Sequence, residues 1–267
     1  MDKYGLIGDP IGHSKSPQMQ TAALKNANIA ATYTLLNEPG EMLADIITRL
    51  RASNVAGFNV TTPFKQAIIP FLDELDVSAA NIQAVNTVKN VAGKLIGYST
   101  DGIGFWQSLP LLKPGTNVAL IGAGGAAKSL IDAAPVGVNL RIFNRESPEF
   151  NVHYADLKEL FNIELQPLAS LHNQLAEIDI LINATSVGLR DNVSILPLNE
   201  FEILNREALV IDLVYKHQQT QFLTFAKSTN HQTLGGLPML VGQGAASFEI
   251  WHQQVANTKV MQASLID

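Results

Sequence analysis

The stretch that most limits what this chain can fold into is Val118-Ala-Leu-Ile-Gly-Ala-Gly-Gly-Ala-Ala-Lys-Ser129. Val118 to Ile121 is a short apolar run of strand formers, and the pattern from Ser129 to Ala134 reads as helix. Gly122, Gly124 and Ala127 between them form a G-x-G-x-x-A turn, the phosphate-binding corner of a dinucleotide fold. Gly122 permits the tight turn, Gly124 lets backbone approach a pyrophosphate, and Ala127 is small enough for the helix to pack on the strand. The helix N-terminus then offers free N–H groups and partial positive charge to the phosphates. An ordinary tight turn would also use these glycines. Lys128-Ser129 gives the stretch some likeness to an NTPase phosphate loop, but that loop needs Gly immediately before its Lys, where Ala127 stands. A second strand, Asn139 to Phe143, favours the dinucleotide reading. It ends in Asn144-Arg145-Glu146, near where such folds place the residue that reads the adenosine ribose.

Composition narrows the classes. With 267 residues, 46% of them hydrophobic and 16% charged, the chain is globular and long enough for two domains. A net charge of −6 without a basic run argues against nucleic acid as a partner. No cysteine is present, which removes thiol chemistry. The six histidines form no HExxH or comparable cluster, so no metal is expected. The N-terminus enters an apolar strand at once, and the most apolar region, 118–138, is interrupted by Lys128 and Asp132. We therefore expect a soluble, cytoplasmic protein without a membrane span, monomeric or homodimeric.

Strands are expected at 4–7, 31–36, 55–60, 84–89, 95–98, 118–121, 139–143, 178–183 and 209–214. Helices are expected from Ser16-Pro17, over 42–52, from Pro63 to about Leu72, over 101–109 and 125–134, and over 240–255. Ala92-Gly93 reads as a hairpin turn. The alternation is an α/β layout in two domains. One is an N-terminal substrate domain with a mostly parallel sheet, spanning 1–100 plus 237–267. The other is a Rossmann-type dinucleotide-binding domain, spanning 101–236, after which the C-terminal helix returns to the first domain.

Within Asn59-Val-Thr-Thr-Pro-Phe-Lys65 a strand gives way to a helix, a favoured ligand position in open α/β sheets. Lys65 falls in the first helical turn, where the dipole disfavours its charged form, a setting suited to a proton donor. A solvated surface lysine is the plainer alternative. Asp101 precedes a helix and fits an N-cap, a role compatible with a carboxylate that faces a cleft and pairs with a lysine. Ser14 and Ser16 flank a helix start, where two hydroxyls and free N–H groups could cradle a carboxylate, though Ser16 could equally be a simple N-cap.

Taken in order, these segments resemble the signature of shikimate dehydrogenases. They are Gly8-Asp-Pro-Ile-x-His13-Ser14-x-Ser16-Pro17, Asn59-Val-Thr61-x-Pro63-x-Lys65, Ala84-Val-Asn86-Thr87, Thr100-Asp101-Gly102, Gly122-Ala-Gly-Gly-Ala126, Asn144-Arg145, Asn183-Ala-Thr-Ser186-x-Gly188, Asp212-x-Val-Tyr215, and Met239-Leu240-x-x-Gln243 with Phe248. The resemblance implies a two-domain enzyme that reduces 3-dehydroshikimate to shikimate with NAD(P)H in aromatic amino-acid biosynthesis. It implies Lys65 and Asp101 as the catalytic pair and Ser14 and Ser16 on the substrate carboxylate. It places Asn59, Thr61, Asn86, Tyr215 and Gln243 around the ring hydroxyls, in a cleft between the domains. Dinucleotide contacts are expected at Gly122, Ala123, Gly124, Gly125, Ala126, Asn144, Arg145, Glu146, Thr185 and Gly236.

The chain departs from the family pattern at several places. Gln20 stands where the family usually has His, Gln83 where it has Gly and Ser99 where it has Asn. His217 and Gln221 replace prolines, and Glu146 replaces Thr after Asn-Arg. Most of the family uses NADP, whereas a carboxylate at Glu146 would accept hydrogen bonds from ribose hydroxyls and repel a 2′-phosphate, which leans towards NAD. The alternatives are an NAD-dependent quinate/shikimate dehydrogenase, or a non-catalytic dinucleotide-binding regulator on the same scaffold.

Overall fold

Short runs of β-branched and aromatic residues alternate with amphipathic segments from the first residues onward. A computed structural model describes residues 1–214 and 219–265. In chain order it contains β1 (Asp2–Ile7), α1 (Ser16–Asn26), β2 (Ala31–Leu35), α2 (Leu43–Arg51), β3 (Val55–Val60), α3 (Phe64–Ala67), β4 (Glu74–Leu75), α4 (Val77–Ala80), β5 (Thr87–Val91), β6 (Lys94–Tyr98) and α5 (Asp101–Gln107). The remainder comprises β7 (Asn117–Ile121), α6 (Gly125–Asp132), β8 (Asn139–Asn144), α7 (Phe150–Phe161), β9 (Leu165–Pro167), β10 (Ile180–Asn183), α8 (Leu198–Ile203), β11 (Leu209–Asp212), α9 (Gln221–Ser228), β12 (Gln232–Leu234), α10 (Leu237–His252) and α11 (Thr258–Ala263). Among the described residues no helix is long and apolar enough to cross a membrane.

The chain divides into two compact units, Met1–Ser108 with Leu240–Asp267, and Leu109–Met239. The first holds a sheet in the order β2-β1-β3-β5-β6-β4. Its pairs with β1 are parallel, while β5 runs antiparallel to both β3 and β6. Helix α2 shows why a segment of this pattern docks. Ile46, Ile47 and Leu50 lie on one buried face and join Ile7, Val55, Phe58 and Val88 in one core cluster. Asp45 in its first turn and Arg49 and Arg51 in its last complement the helix dipole.

The second unit is an all-parallel sheet in the order β12-β11-β10-β7-β8-β9. Strands with both faces covered are apolar throughout, and Val118 to Ile121 are accordingly completely buried. The direction of winding reverses between β7 and β10, which is where open α/β sheets bind ligands at their strand C-termini.

Several local expectations change. The segment from Pro63 to Leu72 is not one helix: α3 stops at Ala67 and a 3-10 turn, Ile69–Phe71, follows. Pro70 explains the break, since it lacks an N–H and its ring opposes the carbonyl one turn back. Strand β5 begins at Thr87, not Ala84, because Val85 donates its N–H to the Lys65 carbonyl before the ladder starts. Ser16 is not an N-cap. Lys15 occupies that position, and the Ser16 N–H donates to Ser14 Oγ at 3.2 Å. Asp101 is likewise the first residue of α5, with Thr100 in the N-cap position.

Helix α5 also sits in the first unit, whereas the sequence pattern placed 101 onward in the second. A close approach to α10 accounts for this. A Cβ on Gly104 would fall inside the backbone of Gly242 and Gln243, and one on Gly242 would fall inside that of Gly104. Only two facing glycines permit such backbone-on-backbone packing.

Gly104→Ala should therefore force α5 and α10 apart and destabilise the protein by about 1–3 kcal/mol, the usual penalty of overpacking. Thermal unfolding checks this, and a wild-type melting temperature would show that the helices separate freely. Gln83 occupies the left-handed region with φ of 52°, which is costly for a residue with a Cβ. Glycine relieves that strain, so Gln83→Gly should raise the melting temperature by roughly 2–4 °C, a gain of about 1 kcal/mol. A lower melting temperature would mean that the added freedom of the unfolded chain dominates.

Candidate active site

The dinucleotide corner has the geometry its glycines suggest. Gly122 lies at φ of 118°, a conformation that excludes most other residues, and a Cβ there would press on the Ala184 carbonyl at 3.1 Å. Its N–H continues the β7–β8 pairing by donating to the Phe143 carbonyl at 2.8 Å. Ala123 is buried, and Gly124 sits at the N-cap of α6. A Cβ on Gly124 or Gly125 would meet open space. Gly125 and Ala126 are exposed, and Ala127 is completely buried beneath the helix. The first N–H groups of a helix have no partners within it, so this corner presents donors, partial positive charge and room for backbone contact. These features fit a pyrophosphate.

At the end of β8, Asn144 is half-buried while Arg145 and Glu146 are exposed. Neighbouring Glu149 accepts from Ser147 Oγ at 2.8 Å, an interaction that lowers its carboxyl pKa. After β10, Asn183 shapes the loop: its Oδ1 accepts from the Thr185 N–H and from Thr185 Oγ1 at 2.7 Å. Gly236 is buried between β12 and α10.

Asp212, in a quoted motif but not expected as a site residue, is completely buried at the end of β11. It accepts from Thr220 Oγ1 at 2.6 Å, Asn183 Nδ2 at 2.9 Å and the Val214 N–H at 3.1 Å. Burial raises its carboxyl pKa, and these three donors act against that rise. Tyr215 lies outside the described residues.

In the first unit, Lys65 and Asp101 meet. Lys65 Nζ donates to Asp101 Oδ2 at 2.6 Å. The lysine side chain is 34% exposed and the aspartate 13%. Thus Asp101 spends its carboxylate on Lys65 rather than on capping α5, and Lys65 is more than a solvated surface charge. Asn86 Nδ2 donates to the other carboxylate oxygen, Asp101 Oδ1, at 2.8 Å. Gln243, half-buried on α10, brings Oε1 to 3.5 Å from the same amide nitrogen and donates through Nε2 to the Leu240 carbonyl.

Asn59 sits deeper than Lys65 and Asp101. It is only 5% exposed, and its amide bonds inward. Nδ2 lies within hydrogen-bond reach of the Asn86 carbonyl, Thr87 Oγ1 and Ser247 Oγ, while Oδ1 accepts from the Tyr33 hydroxyl at 2.8 Å. Thr61 is half-buried four positions before Lys65, and its methyl occupies the space a Cβ on Gly8 would need. This contact draws the β1–α1 and β3–α3 loops together. Ser16 is buried beside Tyr33, and Ser14 is half-buried. The structure therefore assembles Lys65, Asp101, Asn86 and Gln243 directly, with Asn59 behind them.

Comparison with known proteins identifies the family. The shikimate dehydrogenase substrate binding domain matches residues 6–88, and the shikimate 5'-dehydrogenase C-terminal domain matches 236–266. A shikimate dehydrogenase (NADP(+)) of Pyrococcus abyssi is 40% identical over 253 residues, covering 94% of this chain and 92% of that relative. A solved shikimate dehydrogenase in complex with NADP+ superposes with a TM-score of 0.88 at 36% identity, covering 100% of this chain and 95% of that one. The Listeria monocytogenes shikimate 5-dehydrogenase, solved with shikimate and NAD, gives a TM-score of 0.88 at 32% identity, covering 100% and 96%.

Proposed function

The chain belongs to the shikimate dehydrogenase family, and we propose that it interconverts 3-dehydroshikimate and shikimate, working in the direction of ketone reduction within the shikimate pathway. The observation that carries this reading is the Lys65–Asp101 pair at 2.6 Å, with Asn86 holding the second carboxylate oxygen. A protein that only bound dinucleotide would have no need of an assembled proton donor.

Gly124, Gly125 and Ala126 would hold the phosphates of a nicotinamide dinucleotide, which would supply the hydride for the ketone carbon. The carbonyl electron pair then moves onto oxygen, and Lys65 Nζ is the group that gives that oxygen its proton. The product is a hydroxyl, and Lys65 is left neutral beside Asp101. Partial exposure of the lysine side chain, 34%, lets it recover a proton from solvent. Asp101 keeps the ammonium in place during this exchange, and Asn86 keeps Asp101 in place. Ser14 and Ser16 supply hydroxyls suited to the substrate carboxylate, and Thr61 and Gln243 supply polar groups for the ring hydroxyls.

Lys65→Ala should lower kcat by roughly 10²–10⁴-fold, the usual contribution of a positioned acid or base. KM should change much less. Steady-state kinetics with shikimate checks this, and near-normal turnover would remove Lys65 from the chemistry.

We further propose use of both dinucleotides with NAD favoured. The support is local charge: exposed Glu146 follows exposed Arg145, so one cation near the ribose is offset by an adjacent carboxylate. Arginine favours a 2′-phosphate, whereas a carboxylate accepts from ribose hydroxyls and repels the phosphate. The measurement is the ratio of kcat/KM with NAD and NADP for wild type and Glu146→Thr, at physiological salt because screening weakens such effects. Wild type should favour NAD, and the variant should shift towards NADP by on the order of tenfold, equivalent to 1.4 kcal/mol. A wild type that prefers NADP would sink the charge argument, and an unmoved variant would show that Glu146 faces away from the ribose.

A further inference from the structure

Behind the Lys65–Asp101 pair lies a buried polar cluster that neither substrate nor dinucleotide needs to touch. Thr87, Thr100 and Ser247 are at most 1% exposed, and Tyr33 is 4% exposed. They come from four elements of the first unit: Tyr33 from β2, Thr87 from β5, Thr100 from the cap of α5 and Ser247 from α10. Ser247 Oγ lies 2.8 Å from Thr87 Oγ1 and 3.3 Å from Thr100 Oγ1. Ser247 Oγ and Thr100 Oγ1 can each donate to the Gln243 carbonyl, at 2.8 Å and 3.0 Å.

The donor and acceptor arrangement orients both asparagines. Asn86 Oδ1 accepts from the Thr100 N–H at 2.8 Å and from Thr87 Oγ1 at 3.1 Å. A backbone N–H can only donate, so this oxygen is held inward and Nδ2 must face Asp101. Asn59 is held in the same way. Its Oδ1 takes the Tyr33 hydroxyl proton, so Nδ2 must face Thr87, Ser247 and the Asn86 carbonyl. Burial raises the Tyr33 phenol well beyond its usual pKa, so it remains a donor. Ser16 hydrogen-bonds to the same hydroxyl. A continuous series of hydrogen bonds thus runs from Ser16 through Tyr33, Asn59, the three hydroxyls and Asn86 to Asp101 and Lys65.

We propose that Tyr33, Thr87, Thr100 and Ser247 are positioning residues, which fix one orientation of each asparagine amide and so hold Asp101 and Lys65 in the geometry that proton transfer requires. This inference rests on reading Lys65–Asp101 as the proton-handling pair. A merely structural cluster would be replaceable by apolar residues of similar shape, since buried polar groups gain little net stability over well-packed hydrocarbon. A cluster that sets amide orientation is not replaceable in that way, because an isostere without the hydroxyl at position 87 removes a donor to Asn86 Oδ1 and an acceptor for Asn59 Nδ2, so that both amides are held less tightly.

The test compares Thr87→Val, which keeps shape and loses the hydroxyl, with Thr87→Ser, which keeps the hydroxyl. Ser247→Ala, Tyr33→Phe, the Tyr33→Phe/Ser247→Ala double variant and Lys65→Ala complete the set. We expect Thr87→Val, Ser247→Ala and Tyr33→Phe to lower kcat on the order of tenfold, short of the 10²-fold loss that a 1 Å misplacement can cause. KM for shikimate should move less, and Thr87→Ser should recover most of kcat. Tyr33 and Ser247 hold opposite ends of one amide, so the double variant should lose less than the product of the single losses.

Unchanged kcat with a lowered melting temperature, equal losses for Thr87→Ser and Thr87→Val, or multiplicative losses in the double variant would each overturn the proposal. If Tyr33→Phe fails to fold, the Thr87 pair and Ser247→Ala decide it. A slow Lys65→Ala alongside full-speed Thr87→Val and Ser247→Ala would overturn the positioning role alone. A full-speed Lys65→Ala would instead overturn the functional reading beneath it.

Discussion

One carboxylate organises the first unit. Asp101 receives Lys65 on one oxygen at 2.6 Å and Asn86 on the other at 2.8 Å. Its position in the first turn of α5 is favourable for a negative charge, whereas the first and last turns of α3 coincide, so that helix gives the charge of Lys65 no clear support. The aspartate is thus stabilised by its own helix and in turn anchors a lysine that its own helix does not. Because α3 has only 4 residues, its dipole is short, and the pairing across elements governs. Such an arrangement holds the lysine in place while leaving it partly open to water.

That clamp depends on how α10 returns to the first unit. Gly104 and Gly242 allow the backbones of α5 and α10 to touch, and this contact brings Gln243 beside Asn86 and Ser247 beside Thr87. On the sheet side, Gly57 removes the side chain that would otherwise collide with the indole of Trp251, whose Nε1 donates to the Val88 carbonyl at 3.0 Å. Three glycines on different elements therefore set the depth at which α10 lies. The polar cluster is a consequence of that depth: with the helix withdrawn by the width of a methyl group, the hydrogen bonds at 2.8 Å to Ser247 would open and leave buried hydroxyls unpaired, which is costly.

The parts legible in the sequence were those written in backbone chemistry. The turn at Gly122, the helix start at Gly124, the hairpin at Ala92-Gly93 and the apolar strand at Val118–Ile121 each follow from a local rule. Lys65 and Asp101 were also legible as candidates, because each follows a strand and stands close to a helix start, though the pairing between them is a contact between elements that no local pattern shows. The Asn59 network was not. Helix α10 is apolar on most sides, so no periodic contrast reveals that Ser247 faces inward with Gly244, Phe248 and Trp251. Asn59 itself follows the alternation of a strand, which cannot show that its amide meets a tyrosine from β2. The break at Pro70 and the non-capping Ser16 have simpler reasons: Pro70 has no N–H to continue the helix, and the Ser14 hydroxyl accepts the Ser16 N–H.

Gln83 links family pattern and backbone physics most directly. The usual glycine tolerates the left-handed conformation without strain, and this chain keeps φ at 52° with a side chain that must bear it. Two hydrogen bonds close to the residue explain how the turn persists. Gln83 Nε2 donates to the Ala80 carbonyl at 2.7 Å, and the Ala84 N–H reaches back to the Ala79 carbonyl at 3.4 Å. The first replaces, through a side chain, an acceptor contact at the end of α4. The turn also feeds directly into Val85 and Asn86, the residues that tie this segment to Lys65 and Asp101. Strain at position 83 is therefore carried three residues before the amide that bonds the Asp101 carboxylate. The hydrogen bonds of Asn86 to Thr87, Thr100 and Asp101 over-determine its position, so the strain is contained within the turn.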